Sequence, residues 1–252
     1  MTWEEDDFQS SVSMGLAFQS GLTMAFQPIV DVIDKSVFAH EALVRGVHGE
    51  SAASVLLSVS PGLGSDFDQQ CRKTAFELAQ QLRLADTGSS LAINFIPCVT
   101  GEFADSLAKV LADAEASSLE LNRIIFECRD THWLDVEHTI NVFEGYRALG
   151  FRTALDNFGP TEASLKLLPR FQPNFVKLDM AMVRNVDTDP IKQKVLAFAL
   201  RYLRDLGIQP ICGGVETYGE FEAVVGLGVR LVQGFFFARP MLEQLTTPRF
   251  PT

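Results

Sequence analysis

The chain is short of positive charge. Its 21 lysines and arginines stand against 32 aspartates and glutamates, a formal charge of −11 at pH 7 over 252 residues. That balance argues against nonspecific binding to nucleic acid or to an anionic membrane, and an anionic ligand would need local cations or a metal. Cysteine is scarce too: Cys71, Cys98, Cys128 and Cys212 are widely spaced, with no CxxC pair and no histidine at zinc-finger distance. Buried, reduced thiols are the simple reading. No apolar run approaches the length of a membrane span, and the opening MTWEEDDFQSS carries acid where a signal peptide carries base. A cytoplasmic protein is expected.

What the chain does have is a hydrophobic fraction of 47% and enough length to close one large core. From Met24 two strand-like runs, MAFQPIVDV and VFAHEALVR, are joined by a turn too short for a helical crossover, so they predict an antiparallel hairpin. Strands and helices then alternate. Helices are predicted near 67–84, 103–115, 134–149, 190–206 and 220–227, with a short one near Leu165 and a weak one over 8–20. Between them lie apolar strands at 90–95, 123–127, 152–156, 175–179, 208–212 and 230–233. This order predicts an α/β fold of the TIM type, a (β/α)8 barrel whose opening hairpin is the exception to its parallel order. One domain is expected, with a short N-terminal extension or helix to about residue 23, a barrel over 24–240 and a tail over 241–252.

In such a barrel the working face lies at the C-terminal ends of the strands. Taking those ends in turn gives Asn94, Glu127, Asp156, Lys177 with Asp179, Gly213 with Glu216, and Gln233, while Glu41 joins them from the hairpin. One acid at a strand end ordinarily caps a helix or meets water. Seven polar ends of compatible chemistry suggest an oxygen-rich, magnesium-assisted phosphoryl site. The stretch His132 to His138 reads as a solvated helix start, and His40, next to Glu41, points to the opposite face and packs.

The markers QPI (Gln27 to Ile29), EALVR (Glu41 to Arg45), Ile93-Asn94, Phe126-Glu127, LDNFG (Leu155 to Gly159), VKLD (Val176 to Asp179), GGVET (Gly213 to Thr217) and QGFFFARP (Gln233 to Pro240) stand in order. In these the chain resembles the EAL family of bacterial cyclic diguanylate phosphodiesterases, from about Met24 to Pro240. The resemblance implies a barrel whose first strand is antiparallel. For active members it implies hydrolysis of cyclic di-GMP to the linear dinucleotide, with two Mg²⁺ or Mn²⁺ ions activating a shared water. It further implies a first metal site at Glu41, Asn94, Glu127 and Asp156, and catalytic positions at Lys177, Glu216 and Gln233. Ligand contacts are implied at Gln27, Leu43, Arg45 and Asp179.

The second metal site departs from that pattern. Asn157 stands where the family has a second aspartate, and Gly213 stands where it has the glutamate of EGVET. Asn keeps an acceptor oxygen without the charge, and Gly supplies no side chain. The family's GTGYSS loop is Gly159-Pro160-Thr161-Glu162-Ala163-Ser164 here, and a supporting glutamate is Asp130. One metal at most is expected. Three readings stand: a non-catalytic cyclic di-GMP receptor, an interaction module for an unidentified protein partner, and a phosphodiesterase with weak residual hydrolysis. A homodimer is a candidate assembly, and neither a nucleic-acid duplex nor a membrane is an expected partner.

Overall fold

A computed structural model of the chain describes residues 21–60, 62–96, 103–129, 136–159 and 168–251. Strand β1 (Leu22–Asp31) and β2 (Ser36–Gly46) form the expected hairpin, paired antiparallel from Leu22↔Gly46 to Asp31↔Ser36. Next come β3 (Ser90–Asn94), β4 (Ile124–Arg129), β5 (Arg152–Phe158), β6 (Phe175–Leu178), β7 (Gln209–Cys212) and β8 (Leu231–Val232), each parallel to its predecessor. The ring closes where β8 meets β1 antiparallel through Val30↔Val232. The fold is therefore a closed eight-stranded barrel of the TIM type with its first strand reversed.

Most of the helices follow the predicted periodicity. Helix α1 (Ala52–Leu57) is short and was not expected, and α2 (Gly64–Gln81) starts three residues early and gives way to a 3₁₀ turn over Leu84–Thr87. Helices α3 (Phe103–Ala116) and α4 (Val136–Ala148) precede α5 (Met180–Val183), a single turn capped by Asp179. Helix α6 (Pro190–Asp205) begins at a strong start signal, Asp189 accepting from two main-chain N–H groups with Pro190 after it. Helix α7 (Tyr218–Gly226) is fixed by a capping box between Thr217 and Glu220. The segment expected as a tail adds a two-residue strand, β9 (Met241–Leu242), against Ala25 and Phe26. The predicted helices over 8–20 and near Leu165, the loop from Pro160 to Ser164, Cys98, Asp130 and most of the His132 stretch lie outside the described residues.

Inside the barrel, Ile29, Ala39, Ala92, Ile125, Ala154, Phe175, Ile211 and Leu231 form one buried apolar layer, a residue from each strand. The larger core lies between the strands' outer faces and the helices. Because side chains alternate across a strand, the residue two positions further towards the C-terminal rim also points inward. That step leads from Ala39 to Glu41, Ala92 to Asn94, Ile125 to Glu127, Ala154 to Asp156, Phe175 to Lys177, Ile211 to Gly213 and Leu231 to Gln233. On the reversed β1 it leads from Ile29 back to Gln27. The strand register thus stacks a polar layer directly on an apolar one.

Candidate functional site

Lys177 is the hub of the polar layer. Its Nζ donates to Glu41 Oε2 at 2.7 Å and Glu127 Oε2 at 3.2 Å, and lies 3.7 Å from Asp156 Oδ1. Two amides hold Glu41 from the sides: Asn94 Nδ2 donates to Oε1 at 3.0 Å and Gln233 Nε2 to Oε2 at 2.7 Å. Burial works against the Glu41 charge, but the Lys177 ammonium and these two amide donors outweigh it and hold the carboxyl below its usual range. Glu127 has fewer donors. Burial raises it, Lys177 opposes that, Glu41 and Asp156 add to it, and the result is a carboxyl pushed up to about 8. Its Oε1 is buried without a hydrogen-bond partner. Burial would lower Lys177, yet the three carboxylates around it hold it above the usual lysine value and so protonated.

Asp156 and Asn157 would face opposite ways on a regular strand. Here the β5–β6 register slips between Leu155 and Phe158, and Asn157 has φ of +58°, a left-handed conformation that asparagine tolerates. The bulge lets both consecutive residues line one cleft of about 260 Å³. Gln27, Glu41, Leu43, Lys177, Gly213, Glu216 and Gln233 line the same cleft. Gln27 donates to Ala238 O at 3.1 Å, and Glu216 is ion-paired to Arg184 at 2.8 Å. Arg45 and Asp179 are not among the lining residues. Arg45 donates to its neighbour Val44 O, and the Asp179 carboxylate caps α5 through Ala181 N.

Gly213 and Gly214 differ in what the backbone asks of them. Gly214 has φ of +75°, and a Cβ there would lie 2.5 Å from Met180 Cβ. A Cβ on Gly213 would meet nothing closer than Leu178 O at 3.4 Å, an ordinary contact. Glycine is required at 214 and not at 213.

One charged residue of the cleft lies beyond the apolar runs that mark the rim in the sequence. Arg129, the last residue of β4, places Nε 3.3 Å from Asp156 Oδ2 and keeps a side chain 45% exposed. The signal was present, because inward parity runs from Ile125 through Glu127 to 129. The strand runs two residues past the end of its apolar run. Among the described residues no three acidic, histidine or cysteine groups are arranged as a metal-ligand set; the Lys177 ammonium lies among the three carboxylates instead.

The sequence matches the model of the EAL domain over residues 12–240. Among curated proteins it is similar to the blue light- and temperature-regulated antirepressor BluF of Escherichia coli, 27% identical over 228 residues, covering 90% of this chain and 56% of that one. It is also similar to the cyclic di-GMP phosphodiesterase RocR of Pseudomonas aeruginosa, 29% identical over 172 residues, covering 66% of this chain and 43% of that one. The chain thus spans about half the length of these relatives. Among solved structures, a standalone versatile EAL protein from Vibrio cholerae in its c-di-GMP-bound form superposes with a TM-score of 0.84 at 40% identity, covering 90% of this chain and 95% of that one. Klebsiella pneumoniae BlrP1 in a manganese and cyclic di-GMP complex gives a TM-score of 0.84 at 31% identity, covering 92% of this chain and 58% of that one.

Proposed function

The chain belongs to the EAL domain family, and from that premise we propose that it serves bacterial cyclic di-GMP signalling as a non-catalytic receptor, acting on a protein partner in the cytoplasm. The observation that carries this reading is Gly213. The backbone there accepts a side chain and the sequence supplies none, so the glycine is not explained by the fold. Asn157 beside Asp156 removes a second charge from the same cleft. The likeness to a c-di-GMP-bound EAL protein at 40% identity supports the choice of ligand, and the likeness to an antirepressor supports a protein partner. Among the described residues no helix is long and apolar enough to cross a membrane, and Cys71 and Cys212 are free and buried.

The donor set serves one hard cation at most, and only with the Lys177 ammonium moved from among its three carboxylates. Glu41, Asn94, Glu127 and Asp156 come from four consecutive strands, and the buried, unpartnered Oε1 of Glu127 is an acceptor without a donor. Those four residues would hold a single Mg²⁺ or Mn²⁺, which when bound supplies Lewis acidity toward a phosphate oxygen. The chain's own residues prepare the rest of the cleft: Asn94 and Gln233 fix the Glu41 carboxylate, and Lys177 brings an ammonium to its floor. A second ion would find an amide at 157 and no side chain at 213.

A second reading, a phosphodiesterase with weak residual turnover to the linear dinucleotide, is favoured by the complete first donor set. Calorimetry with cyclic di-GMP and a hydrolysis assay in Mg²⁺ and Mn²⁺ separate the two. The expected result is binding without turnover, with metal-dependent hydrolysis appearing in the double variant Asn157→Asp, Gly213→Glu. Both substitutions suit the backbone, since aspartate tolerates left-handed φ and a Cβ at 213 meets only ordinary contacts. Brisk turnover by the unaltered chain, lost on Glu41→Ala, would overturn the receptor reading in favour of the enzyme.

A further inference from the structure

The Asp156 carboxylate presents its two oxygens to two different cations. Oδ1 faces Lys177 Nζ at 3.7 Å, and Oδ2 faces Arg129 Nε at 3.3 Å. The two cations are not equivalent. Lys177 has a side chain only 9% exposed and is committed to Glu41 and Glu127 at 2.7 and 3.2 Å. Arg129 is 45% exposed, and among the described residues it touches Asp156 through Nε, its terminal nitrogens having no partner. A guanidinium carries five donors in a planar fork, so one edge can rest on a carboxylate while the other grips a phosphate. Arg129 lines the cleft together with Asn157 and Gly213, the two positions that bring no acid to it.

We propose that Arg129 is the phosphate-gripping residue of this cleft: its guanidinium clamps a phosphate of the cyclic dinucleotide directly, so the ligand is held without a divalent metal. The inference rests on the reading of the chain as a cyclic di-GMP receptor. It accounts for two features together. A divalent ion on Asp156 Oδ2 would sit directly beside the guanidinium and be repelled by it, and the acids that would offset that repulsion are missing at 157 and 213. The ligand instead brings the negative charge, and Asp156 keeps the guanidinium aimed. Because Arg129 continues the inward parity of Glu127 on a paired strand, its root is fixed by β4 and only its outer half is free to adjust.

The test is calorimetry on the full chain with cyclic di-GMP, once in EDTA and once in excess Mg²⁺. The unaltered chain is expected to bind with the same affinity in both. Arg129→Met is expected to weaken binding about 10- to 100-fold in EDTA, the range for a charge-assisted hydrogen-bond pair. Arg129→Lys keeps the charge without the fork and is expected to recover only part of that loss. A thermal melt within a few degrees of the unaltered chain certifies each variant. Should methionine unsettle β4, the lysine variant decides, with a several-fold loss supporting the proposal and an unchanged affinity overturning it. Binding that needs Mg²⁺ and ignores Arg129 overturns this inference and leaves the receptor reading standing. No binding in either buffer overturns both.

Discussion

At the C-terminal end of the barrel, Glu41, Glu127, Asp156 and Lys177 find their partners in one another, each on a different strand. At the N-terminal end, Arg123 and Arg152 find theirs in nearby main chain and ring faces. Arg123 donates to the carbonyls of Ala85 at 2.9 Å and Ser89 at 3.1 Å, fastening the 3₁₀ turn to the barrel. Arg152 stacks with its guanidinium carbon 5.4 and 5.5 Å from the ring centroids of Phe38 and Phe175 and bonds Ser90 Oγ. Both ends arise from the same two-residue repeat, one step to either side of the apolar layer. Each also holds one buried atom without a hydrogen bond, Glu127 Oε1 above and Arg152 Nε below. The difference lies in what satisfies the charge. Groups tied to main chain are locked unless the fold opens, whereas groups tied to one another can be rearranged by whatever enters the cleft.

The largest effect that tests this contrast comes from removing one cation at each end. Lys177→Met leaves three buried carboxylates facing one another and is expected to cost about 3–5 kcal/mol of unfolding free energy at neutral pH. Arg152→Met keeps the apolar contact with both rings and loses a hydrogen bond and the ring-face attraction, about 1 kcal/mol. Denaturant unfolding of both variants measures the gap. Equal losses would erase the distinction between the two ends. In addition, Lys177→Met should change cyclic di-GMP binding and Arg152→Met should not, since Arg152 lies at the far mouth.

A smaller effect concerns the wall between the ends. His40 precedes Glu41 on β2 but faces outward, buried against Ser89 Oγ at 3.1 Å. Burial lowers it to about 4, a main-chain hydrogen bond with Thr246 opposing that in part. The unfolded chain takes up this proton near pH 6.5 and the folded chain only near 4, so stability falls as pH drops through that window and levels off below it. The contribution at stake is about 3 kcal/mol at most. His40→Gln should flatten the stability profile between those values, and an unchanged slope would show that the imidazole is not held neutral.

The polar layer was legible because a barrel strand announces its inward face every second residue, so a polar residue ending an apolar run marks the rim. That logic places Glu41, Asn94, Glu127, Asp156, Lys177 and Gln233 in one layer from the sequence alone. It failed where the run and the strand part company. β4 continues two residues beyond Glu127, past an outward cysteine, and brings in Arg129. Asp179 belongs to the same series, but an aspartate preceding a helical turn is also a capping signal, and the main-chain N–H of Ala181 is its partner here. The bulge at Asn157 has no hydrophobic signature at all; it appears only as a slip against β6. β9 was out of reach because two residues cannot show a period.

The smallest expected effect carries the most weight for function, and it lies within one dipeptide. Gly214→Ala forces a side chain into left-handed backbone and against Met180, so a loss of well over 1 kcal/mol is expected. Gly213→Ala meets only ordinary contacts with Leu178 O and Lys177, and alanine narrows the unfolded ensemble, so stability should stay within about 1 kcal/mol or rise slightly. Melting the two single variants side by side supplies the measurement. If Gly213→Ala proves as damaging as Gly214→Ala, the glycine is a demand of the fold and its missing carboxylate says nothing about chemistry. If it is silent, the backbone at 213 has been free to carry an acid, and the absence of one belongs to the function of the cleft.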